Sequence, residues 1–385
     1  MTYNPPLEGI VVVSIEQAVA MPFCTSRLAD AGARVIKVER PEGDFARGYD
    51  DVAAGQSSYF VWLNRGKESV ILDLRRGEDR DRLTTLLASA DVFVHNLKPG
   101  SIDKTGFSFS KVRERRPEMI CCSISGYGDT GPMARRKAYD LLIQAESGLV
   151  SLTGSSDNPS RVGISITDIA SGATAHAAIL EALFARSRGL GGAEIQVSMF
   201  DVMADWLSVP LLHAESGSHP QRVGLAHPSI APYGLFTTAD GHDVLISIQN
   251  DREWVVLCKE ILGRPDIAHD DMLATNVARV ANRSRTDAFV REAFRALSFT
   301  DLARLLERFE IAFAQVNDMN GLSRHPHLRR ITVETPGGPV SYPSPAAIVN
   351  KVSRAYGPVP ALGENRLSGQ KDEADENIGA ITSAD

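Results

Sequence analysis

Between Gly9 and Ser125 the chain repeats one unit: a short apolar run of strand length, then a segment with helical spacing. The runs are GIVVVS (Gly9–Ser14), RVIKVE (Arg34–Glu39), SVILDL (Ser69–Leu74), DVFVHN (Asp91–Asn96) and MICCSIS (Met119–Ser125). Helices are expected around Pro22–Ala31, stopping at Gly32, near Asp79–Ser89, and over Tyr139–Leu149. Runs this continuous fit strands buried on both faces, which means a parallel sheet with helices on either side. Ligands of such sheets sit beyond the carboxyl ends of the strands. Chemistry is therefore sought in the turns after Ser14, Glu39, Leu74, Asn96 and Ser125.

A further strand, AEIQVSM, follows Gly192 and leads into a helix through about Glu215, after which the texture changes. GSHPQRVGLAHPSIAP (Gly217–Pro232) is rich in Gly, Pro, Ser and His and reads as a linker or lining loop. YGLFTTADGHDVLISIQ (Tyr233–Gln249) reads as a hairpin turning at Asp240-Gly241. Helices near Asp251–Leu262, Ser284–Ala296 and Thr300–Phe309 and a strand at Ile311–Val316 complete an α+β unit. The expected division is a large domain over 1–200, a linking helix and loop over 201–225, a small domain over 226–319 and a C-terminal segment over 320–385. The Asp372–Asp385 tail reads as solvated and acidic.

Composition narrows the function. At 385 residues the chain is long enough for two domains and a sizeable core. A net charge of −7 gives no general attraction to nucleic acid or an anionic membrane, so an anionic ligand needs local basic residues. Its four cysteines form no C-x-x-C pair, a reduced, cytoplasmic pattern. No apolar run approaches the roughly 18 residues of a membrane helix, and no secretory leader is evident. The nine His are scattered, so no metal is expected.

Phosphate-loop, dinucleotide, serine-hydrolase and zinc-protease signatures are absent. What stands out is VGISITDIASGATAHAAILEALF, in which one carboxylate, Asp168, sits where an apolar segment enters an Ala-rich helix. An Asp there either caps the helix through its first free N–H groups or is a reactive carboxylate flanked by small residues, Ala170, Ser171, Gly172 and Ala173. Basic residues near strand ends, among them Lys37, Arg40, Arg75, Lys98, Lys104 and Lys137, are surface charges singly and a phosphate rim if they converge.

The ordered pieces LEGIVVVSIEQAVAMPF, LADAGARVIKVERPEGDFAR, NRGKESVILDL, HNLKPGSIDKTGF, CCSISGYGDTGP, YDLLIQAESGLVSLTG, VGISITDIASG and GGAEIQVSMFD, with a weaker match to PALGEN, resemble the family III CoA-transferases of the CaiB/BaiF superfamily. The resemblance implies a Rossmann-like large domain, a smaller α+β domain, a C-terminal segment returning to the large domain, and an interlocked ring-like homodimer. It implies an acyl-CoA donor and a carboxylic acid acceptor, with coenzyme A carried as substrate and neither metal nor nucleoside triphosphate required. The family's nucleophile falls on Asp168. Its CoA contacts fall on Gln17, Ala18, Val19, Arg40, Leu72, Arg75, Asn96, Leu97, Ser101, Lys104 and Lys137, with Leu72 and Leu97 flanking the adenine. Tyr139 and Asp140 fall on active-site wall positions.

Two departures direct the reading further. The racemase branch has a His where this chain has Tyr139, so racemisation lacks half of its acid/base pair. Where formyl-CoA transferase carries a mobile glycine loop, this chain has the stiffer AHPSIAP (Ala226–Pro232). The overall pattern is most similar to enzymes of C4–C5 dicarboxylates such as mesaconate, itaconate and succinate. Candidates for holding a distal carboxylate are Arg47, Tyr49, His227, Ser229 and Arg252. The competing readings are an α-methylacyl-CoA racemase-like enzyme and a non-catalytic CoA-binding protein.

Overall fold

A computed structural model describes residues 4–218 and 220–365; the acidic tail lies outside the described residues. Six parallel strands form one sheet: β1 (Val11–Ile15), β2 (Arg34–Glu39), β3 (Lys67–Ile71), β4 (Val92–His95), β5 (Ile120–Ser125) and β6 (Glu194–Ser198). Their order is β3-β2-β1-β4-β5-β6, so the chain reverses direction across the sheet between β1 and β4. The register pairs Val13 with Ile36 on one side and Phe93 on the other.

Strand alternation separates two unlike faces. Val13, Ile36, Val38, Val70, Phe93 and Cys121 enter one apolar cluster with residues of α3 (Gly77–Ser89) and α5 (Phe109–Arg115). The opposite face meets α1 (Ala20–Asp30) and α8 (Ile166–Ser187), and carries buried polar residues. Ser14, Lys37, Glu39, Lys67 and Ser69 are each buried there. Gly172 explains how close α8 lies to α1: a Cβ on it would stand 2.3 Å from the Ala20 carbonyl oxygen. Ala170, Ser171 and Gly172 are buried, so these small residues permit helix packing, and Ala173 alone of the four is exposed.

Between β2 and β3, in a stretch with no clear periodicity, Ser57 caps α2 (Ser58–Asn64), which buries Phe60, Val61 and Leu63. Shorter helices follow β4 and β5: α4 (Ser101–Thr105), α6 (Asp140–Glu146) and α7 (Leu149–Leu152). After β6 come α9 (Met199–Trp206) and α10 (Ser208–Glu215). No helix among the described residues is long and apolar enough to cross a membrane.

Two compact units divide the chain. One holds Met1–Ser147, Val162–Ser208 and Arg329–Asp385, and the other holds Gly148–Arg161 and Val209–Leu328. The second therefore includes a short segment ahead of α8 that no compositional change announces. It contains the antiparallel sheet β7 (Tyr233–Thr237), β8 (Asp243–Ser247) and β9 (Ala312–Gln315) over a core with Trp254, Leu257, Phe294 and Leu306. In the first unit, residues near 330–365 include a small hairpin, β10 (Arg330–Val333) and β11 (Val340–Pro343), then run beside β3. Asn365 exchanges backbone and side-chain hydrogen bonds with Ser69 there, covering what would be a free sheet edge.

Candidate active site

The switch in strand order places the turn after β1 beside the turn after β4, where a doubly wound sheet opens a crevice. Gln17 and Asn96 meet at that point. The Gln17 N–H donates to Asn96 Oδ1 at 3.0 Å, and Asn96 Nδ2 donates to the Gln17 carbonyl at 2.8 Å. Ala18 takes a positive φ of 62°, and its N–H donates to Asp44 Oδ1 at 3.1 Å. Asp44 is held by Lys37 at 2.8 Å, and Lys67 holds Glu16 at 2.7 Å. Lys37 also lies 3.6 Å from Glu16, which links all four groups. All four side chains are wholly buried or nearly so. Burial pulls the Lys67 ammonium down to about 8, with Glu16 opposing that shift. This buried chain of charges fixes the backbone at Gln17–Ala18, and no local motif signals it.

Asp168 occupies the first turn of α8 but does not cap it. Ser165 stands at the capping position without a side-chain bond, and the capping carboxylate is Asp140, from α6. Asp140 Oδ1 accepts the N–H groups of Thr167 at 2.8 Å and Asp168 at 3.3 Å. Among the described residues, no hydrogen bond or ion pair engages the two oxygens of Asp168. Burial pushes its pKa up to about 7, and the negative charge of Asp140 adds to the rise. The remaining first-turn N–H groups are also used: Ile166 donates to the Ile164 carbonyl and Ile169 to that of Ser165. The helix start therefore presents a free carboxylate and no free amide.

Tyr49 lies within the electrostatic reach of Asp168 and Tyr139. Burial, then the charges of Asp44 and Asp168, push its phenol up to about 12, so it stays a neutral hydrogen-bond donor. It packs edge-to-face on Tyr59, with ring centroids 5.5 Å apart. Tyr139, 63% exposed, immediately precedes α6. Asp168, Asp140, Tyr139 and Tyr49 thus share one neighbourhood.

Arg47, offered by the sequence as a cation for a distal carboxylate, is paired within the fold. Glu39 takes its Nε and Nη2 at 2.9 and 2.7 Å, and its guanidinium lies 3.7 Å from the Phe60 ring centroid. Burial opposes ionisation of Glu39, but Arg47 and Lys37 outweigh it and hold the carboxyl near 2. Leu72, expected beside the adenine, is 1% exposed and packs in the apolar core. Val19 is likewise buried and can offer only backbone. Leu97, half-buried, borders a cavity of about 200 Å³ at the carboxyl ends of β4 and β5.

The basic positions differ in their freedom. Arg40, Lys104 and Lys137 are exposed, and Ser101 begins α4 ahead of Lys104. Arg75 is exposed and folded back on Asp73, with two contacts of 2.8 Å. His227 and Ser229 lie in the second unit, where their loop is tightly pinned. The Ser229 N–H donates to His227 Nδ1, the His227 ring stacks on Tyr233, and Arg283 holds the carbonyls of His227 and Ile230. Arg252 is exposed on the same unit. Sequence reasoning missed the anchoring of Asp140, which the next helix turn reinforces through Gln144: Nε2 donates to Asp140 Oδ2 at 2.7 Å. The i, i+4 spacing was visible; its target, 27 residues downstream, was not.

Comparison with known proteins agrees with this architecture. The family model for CoA-transferase family III matches residues 7–366. The chain is 38% identical over 292 residues to the acetyl-CoA:oxalate CoA-transferase of Acetobacter aceti, covering 75% of each protein. It is 33% identical over 379 residues to the succinate–glutarate CoA-transferase of Agrobacterium fabrum, covering 94% of each. Among solved structures it resembles a CaiB/BaiF family protein from Brucella suis at 33% identity and a TM-score of 0.79, covering 98% of this chain and all of that one. The chain therefore belongs to CoA-transferase family III and is a CoA-transferase.

Proposed function

We propose that this enzyme moves CoA between dicarboxylic acids, with Asp168 as the nucleophile. The observation that carries the assignment is the unengaged carboxylate of Asp168, held in the first helical turn while a different carboxylate caps that turn. Ionised Asp168 attacks the thioester carbonyl of the acyl-CoA, forming a mixed anhydride and releasing CoA thiolate. The thiolate attacks the aspartyl carbonyl, giving an aspartyl-CoA thioester and the free donor acid. The acceptor carboxylate then attacks that thioester, and the returning thiolate takes the new acyl group and restores Asp168. No net proton or redox change occurs, and thioester energy is kept. Because the α8 amides are already used, the tetrahedral oxyanions need donors from outside that helix turn.

Exposed Arg40, Lys104 and Lys137 serve the CoA phosphates, and the Gln17–Asn96 turn seats the thioester arm. The two relatives act, by name, on oxalate and on succinate and glutarate, and short diacids are accordingly the proposed acceptors. Neutral Tyr49, whose phenol feels the charge of Asp168, and exposed Tyr139, within reach of Tyr49, are the polar groups proposed to meet such an acid. The working form is a homodimer. In the single chain α10 has no buried residue and exposes the apolar side chains of Val209, Leu211 and Leu212, apolar surface that a second chain would cover.

Asp168→Ala is expected to abolish transfer from succinyl-CoA to every acid tested while leaving CoA affinity intact. Borohydride or hydroxylamine added after acyl-CoA should modify Asp168 alone, as read by mass spectrometry. An adduct elsewhere removes the nucleophile assignment. In a donor-by-acceptor screen, short diacids should outrun butyrate or crotonate, because a site built for two carboxylates leaves polar groups unpaired with one. Equal transfer to monocarboxylates removes the dicarboxylate assignment and leaves the transferase.

A further inference from the structure

The segment that presents Asp168 is held from both ends by one buried side chain. Gln144, on α6, is 0% exposed. Its Oε1 accepts the N–H of Val162 at 3.0 Å, just ahead of α8. Its Nε2 donates at 2.7 Å to Asp140 Oδ2, whose other oxygen takes the N–H groups of Thr167 and Asp168. A backbone N–H needs an acceptor and a carboxylate needs a donor, so only one amide orientation satisfies both. The entry to the helix and its first turn are thereby tied to a single point, and Asp140 is prevented from swinging toward solvent or toward the nucleophile.

We infer that Gln144 is a positioning residue for the transfer reaction, setting the attack geometry of Asp168 through Asp140 and Val162 without touching substrate. The inference rests on Asp168 being the nucleophile. Buried amides that merely fill space have no need of this polarity, whereas a covalent nucleophile must be held to within a fraction of an ångström.

A glutamate at this position makes the idea testable through pH. Protonated, its carboxyl accepts from Val162 through C=O and donates to Asp140 through O–H, reproducing the amide. Ionised, it cannot donate and faces Asp140 as a like charge. Other titratable groups on the packed elements are few. Glu146 of α6 is paired with Arg136, α8 carries Asp168, His176, Glu181 and, in its last turn, Arg186 paired with Asp91, and α9 carries exposed Asp201 and Asp205.

The experiment measures kcat and KM of the full-length enzyme with succinyl-CoA between pH 6 and 8.5, for wild type, Gln144→Glu, Gln144→Met and Asp168→Ala. Thermal unfolding is recorded alongside. Expected is a fall in kcat of about 100-fold for Gln144→Met at every pH, with KM for acyl-CoA little changed. Gln144→Glu should match that loss at pH 8.5 and recover relative to wild type as the pH falls. If both variants keep the wild-type kcat, or lose activity equally at all pH in proportion to unfolded protein, the inference is overturned. Asp168→Ala separates the two claims. If it remains active, the nucleophile assignment fails; if it is dead while the Gln144 variants are normal, only the positioning role fails.

Discussion

Asp168 carries a conflict that its surroundings do not relieve. A carboxylate normally ionises near 4, yet this one is half-buried, has no cation beside it among the described residues and faces the carboxylate of Asp140. Its pKa near 7 makes it a better nucleophile than an ordinary carboxylate once ionised, and idle when protonated. The sign of the pH dependence follows: kcat/KM for acyl-CoA should be flat above about pH 8 and fall roughly tenfold per unit below pH 6. The same shift means the folded state resists ionising Asp168, a cost that builds from about pH 4, where the unfolded group ionises, to about pH 7, so native stability from this group is greatest below about pH 4. Asp168→Asn should therefore raise the unfolding temperature at pH 8 and change it little at about pH 3.5, below both pKa values. A flat activity profile down to pH 5 would sink the pKa argument.

At the scale of elements, the site depends on how α1, α8 and the β1 turn are packed rather than on any one of them. Gly172 lets α8 press against the start of α1, and the Lys67–Glu16–Lys37–Asp44 chain fixes the turn between β1 and α1. Breaking a buried pair from one side leaves an unpaired charge and costs about 3–5 kcal/mol. The Arg47–Glu39 pair shows how such a link answers to pH. Glu39 is held near 2, below its unfolded value of about 4.3, so it stabilises the fold above pH 4.3 and that contribution disappears as pH falls toward 2. Arg47→Ala should lower stability at pH 7 by about 3 kcal/mol, with the gap to wild type closing in acid denaturation below pH 4. Altered acid selectivity with no change in stability would instead return Arg47 to the substrate site.

For the whole molecule, the exposed apolar surface of α10 matters most. Val209, Leu211 and Leu212 are 66, 51 and 65% exposed, and the neighbouring Trp206 is 56% exposed. A homodimer that covers this apolar helix should sediment at twice the chain mass, and Leu212→Glu should shift it toward monomer and reduce transfer. A wild-type chain that sediments as an active monomer would refute the dimer.

What was legible in the residues was whatever local spacing encodes. Continuous apolar runs alternating with helical segments specify buried parallel strands, and Asp240-Gly241 between two β-rich runs specifies the hairpin of β7 and β8. The ordered motifs pointed to the transferase family, and they singled out Asp168. Side-chain allegiance was not legible, because it depends on partners far along the chain. Arg47 looked like a free cation until the fold placed Glu39 and Phe60 against it, and Leu72 looked available until the sheet buried it. Asp168 looked like a possible helix cap until Asp140, 28 residues earlier, took that role. Backbone N–H groups at a helix start accept whichever carboxylate tertiary packing brings to them, so only the folded chain decided which Asp caps and which is left free.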